Sequence, residues 1–144
     1  LSLSELQNRY VELHGTRALT LIRHNAVAFE TNQGKNLMVN QQLVDFVKNL
    51  RGYTIFMWSS NTPQSIVPIL KEHHLDGQFS KIVTRMDVDL IKPDPEGFYK
   101  LYDSSVPKEQ YLMVGNSWLD RDAAKGASID FFQIDYFNLI RVSL

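Results

Sequence analysis

No cysteine occurs in this 144-residue chain. That excludes disulfides and thiolate metal sites, and it fits a reducing compartment. No apolar run approaches the 18 or so residues of a membrane-spanning helix, and no secretory signal is visible after Leu1. A cytoplasmic location without membrane partners is the expectation. Neither sign of charge dominates: 15 Lys and Arg face 16 Asp and Glu, for a net charge of −1. With no basic run, nucleic-acid binding has no electrostatic basis. There is no repeat, low-complexity tract or linker. What is present is ordinary for a globular chain, 44% apolar and 22% charged, and long enough to bury one core as a single domain over residues 1–144.

Apolar periodicity sorts the chain into alternating elements. Leu3 to His14 reads as a helix with Ser4 as a possible cap, Leu6, Tyr10 and Leu13 on one face, and Gly15 as its stop. Ala18 to Ile22 and Ala26 to Phe29 are short apolar runs expected as buried strands. Val39 to Leu50 is a helix ended by Gly52. Tyr53 to Trp58 is an aromatic and β-branched strand. Asn61-Thr62-Pro63 then caps a helix that runs through Ile66 and Leu70 to His73 and closes at Gly77. Lys81 to Thr84, Tyr111 to Val114 and Ile129 to Ile134 are strands. Helices are expected from about Pro95 to Tyr102 and from Leu119 to Lys125. Such alternation predicts an α/β fold: a Rossmann-like, doubly wound three-layer sandwich around a mostly parallel sheet.

In such sheets ligands sit beyond the carboxyl ends of the strands. The segments leaving those ends are Glu30-Thr31-Asn32, Ser59-Ser60-Asn61, Arg85 to Lys92, and Asn116 to Asp120. Lys92 stands on a Pro-Asp-Pro corner, where its ammonium suits phosphate or neighbouring carboxylates; a solvated loop lysine before a helix is the plainer reading. Ser60 offers a hydroxyl beside a helix start whose amides attract anions, although Asn61 or Thr62 also serves as an ordinary cap. Asp120, at the start of a helix, is an acid placed favourably against the helix dipole. The run Ala123-Ala124-Lys125-Gly126-Ala127 is rich in small residues.

Taken in order, Trp58-Ser59-Ser60-Asn61-Thr62-Pro63, Lys92-Pro93-Asp94-Pro95 and Val114-Gly115-Asn116-Ser117-Trp118-Leu119-Asp120 resemble the second, third and fourth motifs of the haloacid-dehalogenase-like hydrolases. The resemblance covers roughly residues 25–135. It implies a phosphohydrolase in which a strand-end carboxylate is the nucleophile and a second acid two residues on is the proton shuttle. A Ser or Thr and a Lys hold the phosphoryl oxygens, and Mg²⁺ neutralises charge. Carried onto this chain, Glu30, Asn32, Ser60 and Lys92 take the catalytic positions. Ser60, Asn61 and Lys92 face phosphate, and Glu30, Asn116 and Asp120 face the metal.

Three positions depart from that pattern. Glu30 is one methylene longer than Asp, a displacement on the order of 1 Å that can cost about 10²-fold. Asn32 cannot shuttle a proton, worth roughly 10² to 10⁴-fold. Asn116 is a neutral oxygen where a hard cation favours charge. Together the first two predict a barrier higher by upwards of ~5.4 kcal/mol. The expected activity is therefore weak or impaired phosphate-monoester hydrolysis with weak or absent Mg²⁺; the alternative is an inactive pseudophosphatase binding a phospho-ligand or a protein. Only 29 residues lie between Glu30 and Ser60 and 31 between Ser60 and Lys92, too few for a cap domain. An open rim would admit a bulky phosphorylated or macromolecular substrate, or a protein partner. Trp58 and Trp118 are candidate rim aromatics, while Trp58 also suits the core. His24, His73 and His74 have no ligand spacing with the acids. Tyr136, Phe137, Leu139 and Ile140 either pack on the sheet or form an interface.

Overall fold

The computed structural model describes residues 1–33 and 39–135, with positions 32 and 33 as backbone only. Tyr136, Phe137, Leu139 and Ile140 lie outside the described residues. The elements run α1 (Leu3–His14), α2 (Arg17–Gln33), α3 (Gln41–Asn49), β1 (Phe56–Trp58), α4 (Pro63–Glu72), β2 (Lys81–Val83), α5 (Glu96–Leu101), β3 (Leu112–Gly115), α6 (Trp118–Ala127) and β4 (Asp130–Gln133), with a 3₁₀ turn at Lys108–Gln110.

The largest departure from expectation is α2. The runs Ala18 to Ile22 and Ala26 to Phe29 are not strands but parts of one 17-residue helix. Nothing between Arg17 and Gln33 breaks a helix, and Leu19, Arg23, Ala26, Val27 and Glu30 recur at helical spacing, which outweighs the short apolar blocks. Among the described residues, no strand precedes β1. In α1 the helical spacing of Leu6, Tyr10 and Leu13 marks an exposed face, while Val11 is buried. Its cap is Ser2 rather than Ser4, in a reciprocal box with Glu5.

β1 and β2 pair in parallel, with Met57 opposite Ile82 and Trp58 opposite Val83. Side-chain alternation splits these pairs between two cores. Met57 and Ile82 pack with Val44, Ile66, Leu70 and Leu75 on the α3–α4 side. Trp58 and Val83 pack with Val88, Ile91 and Leu101 on the α5 side. Helices on both faces of a parallel pair give the Rossmann-like layering. β3 and β4 form a second parallel pair, with Val114 opposite Phe132. The two pairs are not hydrogen-bonded to each other among the described residues. Ala123, Ala124 and Ala127 of α6 are fully buried, and α6 packs on β3 and β4.

Only α3 separates Glu30 from β1 among the described residues, and only α4 and β2 lie between Ser60 and the Lys92 loop; neither interval holds a cap domain. The α1–α2 hairpin instead lies along the loop that follows β2. Asn8 exchanges two hydrogen bonds with the Ile91 backbone at 2.6 and 2.9 Å, and Arg23 donates to the Val88 carbonyl at 2.9 Å. No helix among the described residues is long and apolar enough to cross a membrane.

Candidate functional site

Three loop segments meet where β1 and β3 end. Lys92, on a cis Lys92-Pro93 bond, donates through Nζ to the Trp58 carbonyl at 3.1 Å and to Asp120 Oδ1 at 2.5 Å. The other Asp120 oxygen accepts from the Asn116 and Ser117 amides, both at 3.2 Å, and from the Ser117 hydroxyl at 3.0 Å. Ser117 caps α6 and receives the Asp120 amide in return. Asp120 is thus an acid in a helix first turn and at the same time the partner that aims Lys92. Burial pushes the Asp120 carboxyl up, but the Lys92 charge and hydrogen bond and the Ser117 donors prevail, holding it below the usual carboxylate value. Gly115 allows this approach: a Cβ there would lie 2.6 Å from the Asp120 Cβ.

Ser60 leaves β1 half-buried, and its carbonyl accepts from Arg85 Nε at 2.6 Å. The Arg85 amide bonds the Asn61 carbonyl at 3.2 Å, and the Asn61 amide donates to Ser59 Oγ at 3.1 Å. Thr62, fully buried, stands at the start of α4 without using its side chain as a cap. Its amide and hydroxyl both donate to Glu30 Oε2, each at 2.7 Å. Glu30 Oε1 lies 3.6 Å from Arg85 Nε. Burial lowers the Arg85 pKa and the Glu30 charge opposes that shift.

The structure therefore brings Lys92 and Asp120 into contact at the end of β1, two residues ahead of Ser60, and sets Glu30 against the next segment, Asn61 to Arg85. Glu30 does not end a strand. It sits on α2 with its carboxylate already engaged, and Asn32 is on the same helix with its side chain outside the described residues. Arg85 was not singled out as a site residue; as the second residue after β2 it was legible only from the rule that ligands gather at strand ends. Trp58 is drawn inward rather than to the rim: it packs with Val83, Val88 and Ile91, and its ring lies so close that a Cβ on Gly97 would overlap it. Trp118 is 41% exposed at the first turn of α6. His24, His73 and His74 join no metal-ligand cluster, and no group of three or more His, Cys, Asp or Glu suited to a metal exists among the described residues.

That donor set does not fit Mg²⁺, a hard cation that needs near-octahedral oxygen coordination. The Asp120 charge is already paired with the Lys92 ammonium, Asn116 is neutral, and Glu30 is held by Thr62 and faces Arg85.

Residues 7–134 match the family model of haloacid dehalogenase-like hydrolases. Among solved structures, the chain is similar to a subfamily IA hydrolase of that superfamily from Geobacter sulfurreducens, at 26% identity and TM-score 0.57, over 62% of this chain and 47% of that one. A protein from Bacteroides fragilis assigned as a haloacid dehalogenase-like hydrolase aligns at 27% identity and TM-score 0.58, over 68% and 47%. A protein from Lactobacillus delbrueckii subsp. bulgaricus assigned as a phosphoglycolate phosphatase shares the fold at 20% identity and TM-score 0.57, over 66% and 41%. The chain spans less than half the length of each of these structures. No functionally curated protein matches it. With the family model covering nearly the whole chain and Ser60, Lys92 and Asp120 arranged around the ends of parallel strands, this chain belongs to the haloacid dehalogenase-like hydrolase family.

Proposed function

We propose that the chain is a phosphohydrolase-type module that binds a phosphate monoester through Ser60, Asn61 and Lys92 and hydrolyses it weakly at most. The observation that carries this reading is the Lys92–Asp120 pair, which fixes an ammonium at the carboxyl end of β1 two residues from Ser60. Lys92 offers the phosphoryl oxygens a compact positive charge, the Ser60 hydroxyl adds a donor, and Asp120 positions Lys92. Weak turnover follows from the remaining residues. Glu30 is on a helix rather than at a strand end, with Oε2 held by Thr62 and Oε1 turned to Arg85, so it is not placed to attack a phosphoryl group held by Ser60 and Lys92. Asn32 and Asn116 supply neither a proton shuttle nor a charged metal ligand. Binding without turnover is the second reading, favoured by the same engagement of Glu30. The ligand we propose is a phosphate on a bulky or macromolecular carrier, because only α4 and β2 lie between Ser60 and the Lys92 loop and that interval holds no cap to enclose a small one; a protein presenting such a group at the rim is the corresponding partner.

The test is p-nitrophenyl phosphate hydrolysis with Mg²⁺ alongside calorimetric binding of inorganic phosphate, for the parent and Lys92→Ala. Phosphate binding that Lys92→Ala weakens at least tenfold, with hydrolysis near background, is the expected result. Robust hydrolysis unaffected by Lys92→Ala overturns the site assignment, and absence of phosphate binding overturns the phospho-ligand reading.

A further inference from the structure

Glu30 is the one carboxylate that α2 sends into the segment following Ser60, and the way it is received is that of an anion ligand. One oxygen takes the Thr62 amide and the Thr62 hydroxyl, both at 2.7 Å. The other faces the Arg85 guanidinium at 3.6 Å. The side chains of Glu30 and Arg85 are 13% and 15% exposed, so the contact is largely removed from water. Thr62 itself is fully buried and spends its hydroxyl on Glu30 rather than on capping α4. Arg85 also holds the Ser60 carbonyl, so Ser60, proposed to bind phosphate, and Glu30 share one guanidinium.

We propose that Glu30 makes α2 an autoinhibitory strap, its carboxylate occupying the donors of Thr62, facing the Arg85 charge, and competing with a phosphoryl group at the adjoining Ser60–Lys92 site. The inference rests on the phosphate-binding reading above. A carboxylate and a phosphoryl group both present anionic oxygens to the same kind of donor. Two such anions flanking one guanidinium repel, and each also makes the shared Arg85 less available to the other. The strap has purchase on the rest of the fold: α2 packs on α4, and Arg23 ties it to Val88 and, at 3.9 Å, to Asp89. Its docked state lowers ligand affinity by the fraction of time it is docked. A strap seated nine-tenths of the time raises the apparent Kd about tenfold.

The probe is inorganic phosphate, titrated into the full chain and into Glu30→Ala and followed by calorimetry and by the Thr62 amide resonance. Glu30→Ala is expected to bind phosphate about tenfold more tightly than the parent. Should that variant fold poorly, hydrogen exchange on the unaltered chain gives the second measurement: saturating phosphate is expected to speed exchange in α2 while slowing it at the start of α4. Equal affinity in parent and variant, or α2 protection indifferent to phosphate, overturns the strap and leaves the phosphate reading standing. No phosphate binding in either protein, with Lys92→Ala equally silent, overturns both together.

Discussion

Replacing Lys92 by Met removes an ammonium that is 11% exposed and leaves its partner Asp120, 9% exposed, with a charge and no cation. Breaking a buried ion pair from one side typically costs about 3–5 kcal/mol. Here the Asn116 amide and the Ser117 amide and hydroxyl stay on Asp120, which moves the cost towards the lower end. The penalty also has a ceiling, because protonating an ordinary carboxyl at pH 7 costs about 4 kcal/mol. We therefore expect Lys92→Met to lose about 2–4 kcal/mol at pH 7 in urea unfolding followed by circular dichroism, or roughly 6–12 °C in Tm for a chain this size. The pH dependence supplies the sign. In the parent the Asp120 carboxyl is held below its usual 3.8. Its stabilisation is therefore complete above that value and is lost as pH falls through the lower folded value. In the variant, without Lys92, the same carboxyl rises, and acidification relieves it. The stability gap between parent and variant should narrow as pH falls from 7 and close only once pH has fallen through the lowered Asp120 value of the parent. Adding Asp120→Asn to Lys92→Met should recover part of the loss, as a double-mutant cycle will register. A loss below about 0.5 kcal/mol at pH 7, or a gap that widens in acid, refutes the argument that this pair organises the site.

Other outcomes follow from the same contacts. Gly97→Ala places a Cβ 2.1 Å from the Trp58 indole; it should destabilise by about 1–3 kcal/mol and alter tryptophan fluorescence. Asp94, whose carboxyl burial pushes above the usual value, costs stability above that raised pKa. Asp94→Asn should hold or raise Tm at pH 7, and the difference should vanish as pH falls through the Asp94 titration. The triple change Glu30→Asp, Asn32→Asp and Asn116→Asp restores acids in type but not in place, since α2 keeps position 30 off a strand end. Its p-nitrophenyl phosphate turnover should stay within about tenfold of the parent, whereas restored strand-end geometry would lift it by 10² or more.

The second half of the chain was legible because its signals are local and agree with one another. Lys92, Asp120 and the small residues of α6 carry turn chemistry, capping and close packing in the same stretch, and the strands between them are short but bounded by polar turns. Position 30 was not legible, because the short apolar blocks Ala18 to Ile22 and Ala26 to Phe29 each look like a buried strand when taken separately. The residues themselves, Arg17 to Gln33 with no Gly or Pro, favour a helix. Faces were harder still. Leu6, Tyr10 and Leu13 have helical spacing, yet which stripe of α1 is buried depends on where Asn8 meets Ile91, 83 residues away. The inward turn of Trp58 likewise depends on Gly97 of α5, a contact between distant segments that no single window contains. The role of Arg85 escaped notice because one arginine after a strand carries no motif.

The central claim is that Lys92, aimed by Asp120, makes the end of β1 a phosphate-binding site. Amide resonances of Ser60 and Asn61, titrated with inorganic phosphate in the parent and in Lys92→Ala, test it most directly. Saturable shifts in the parent, weakened at least tenfold in Lys92→Ala while both proteins stay folded, are the result predicted. Shifts of equal midpoint in the two proteins, or none at Ser60 and Asn61 in the parent, would contradict it.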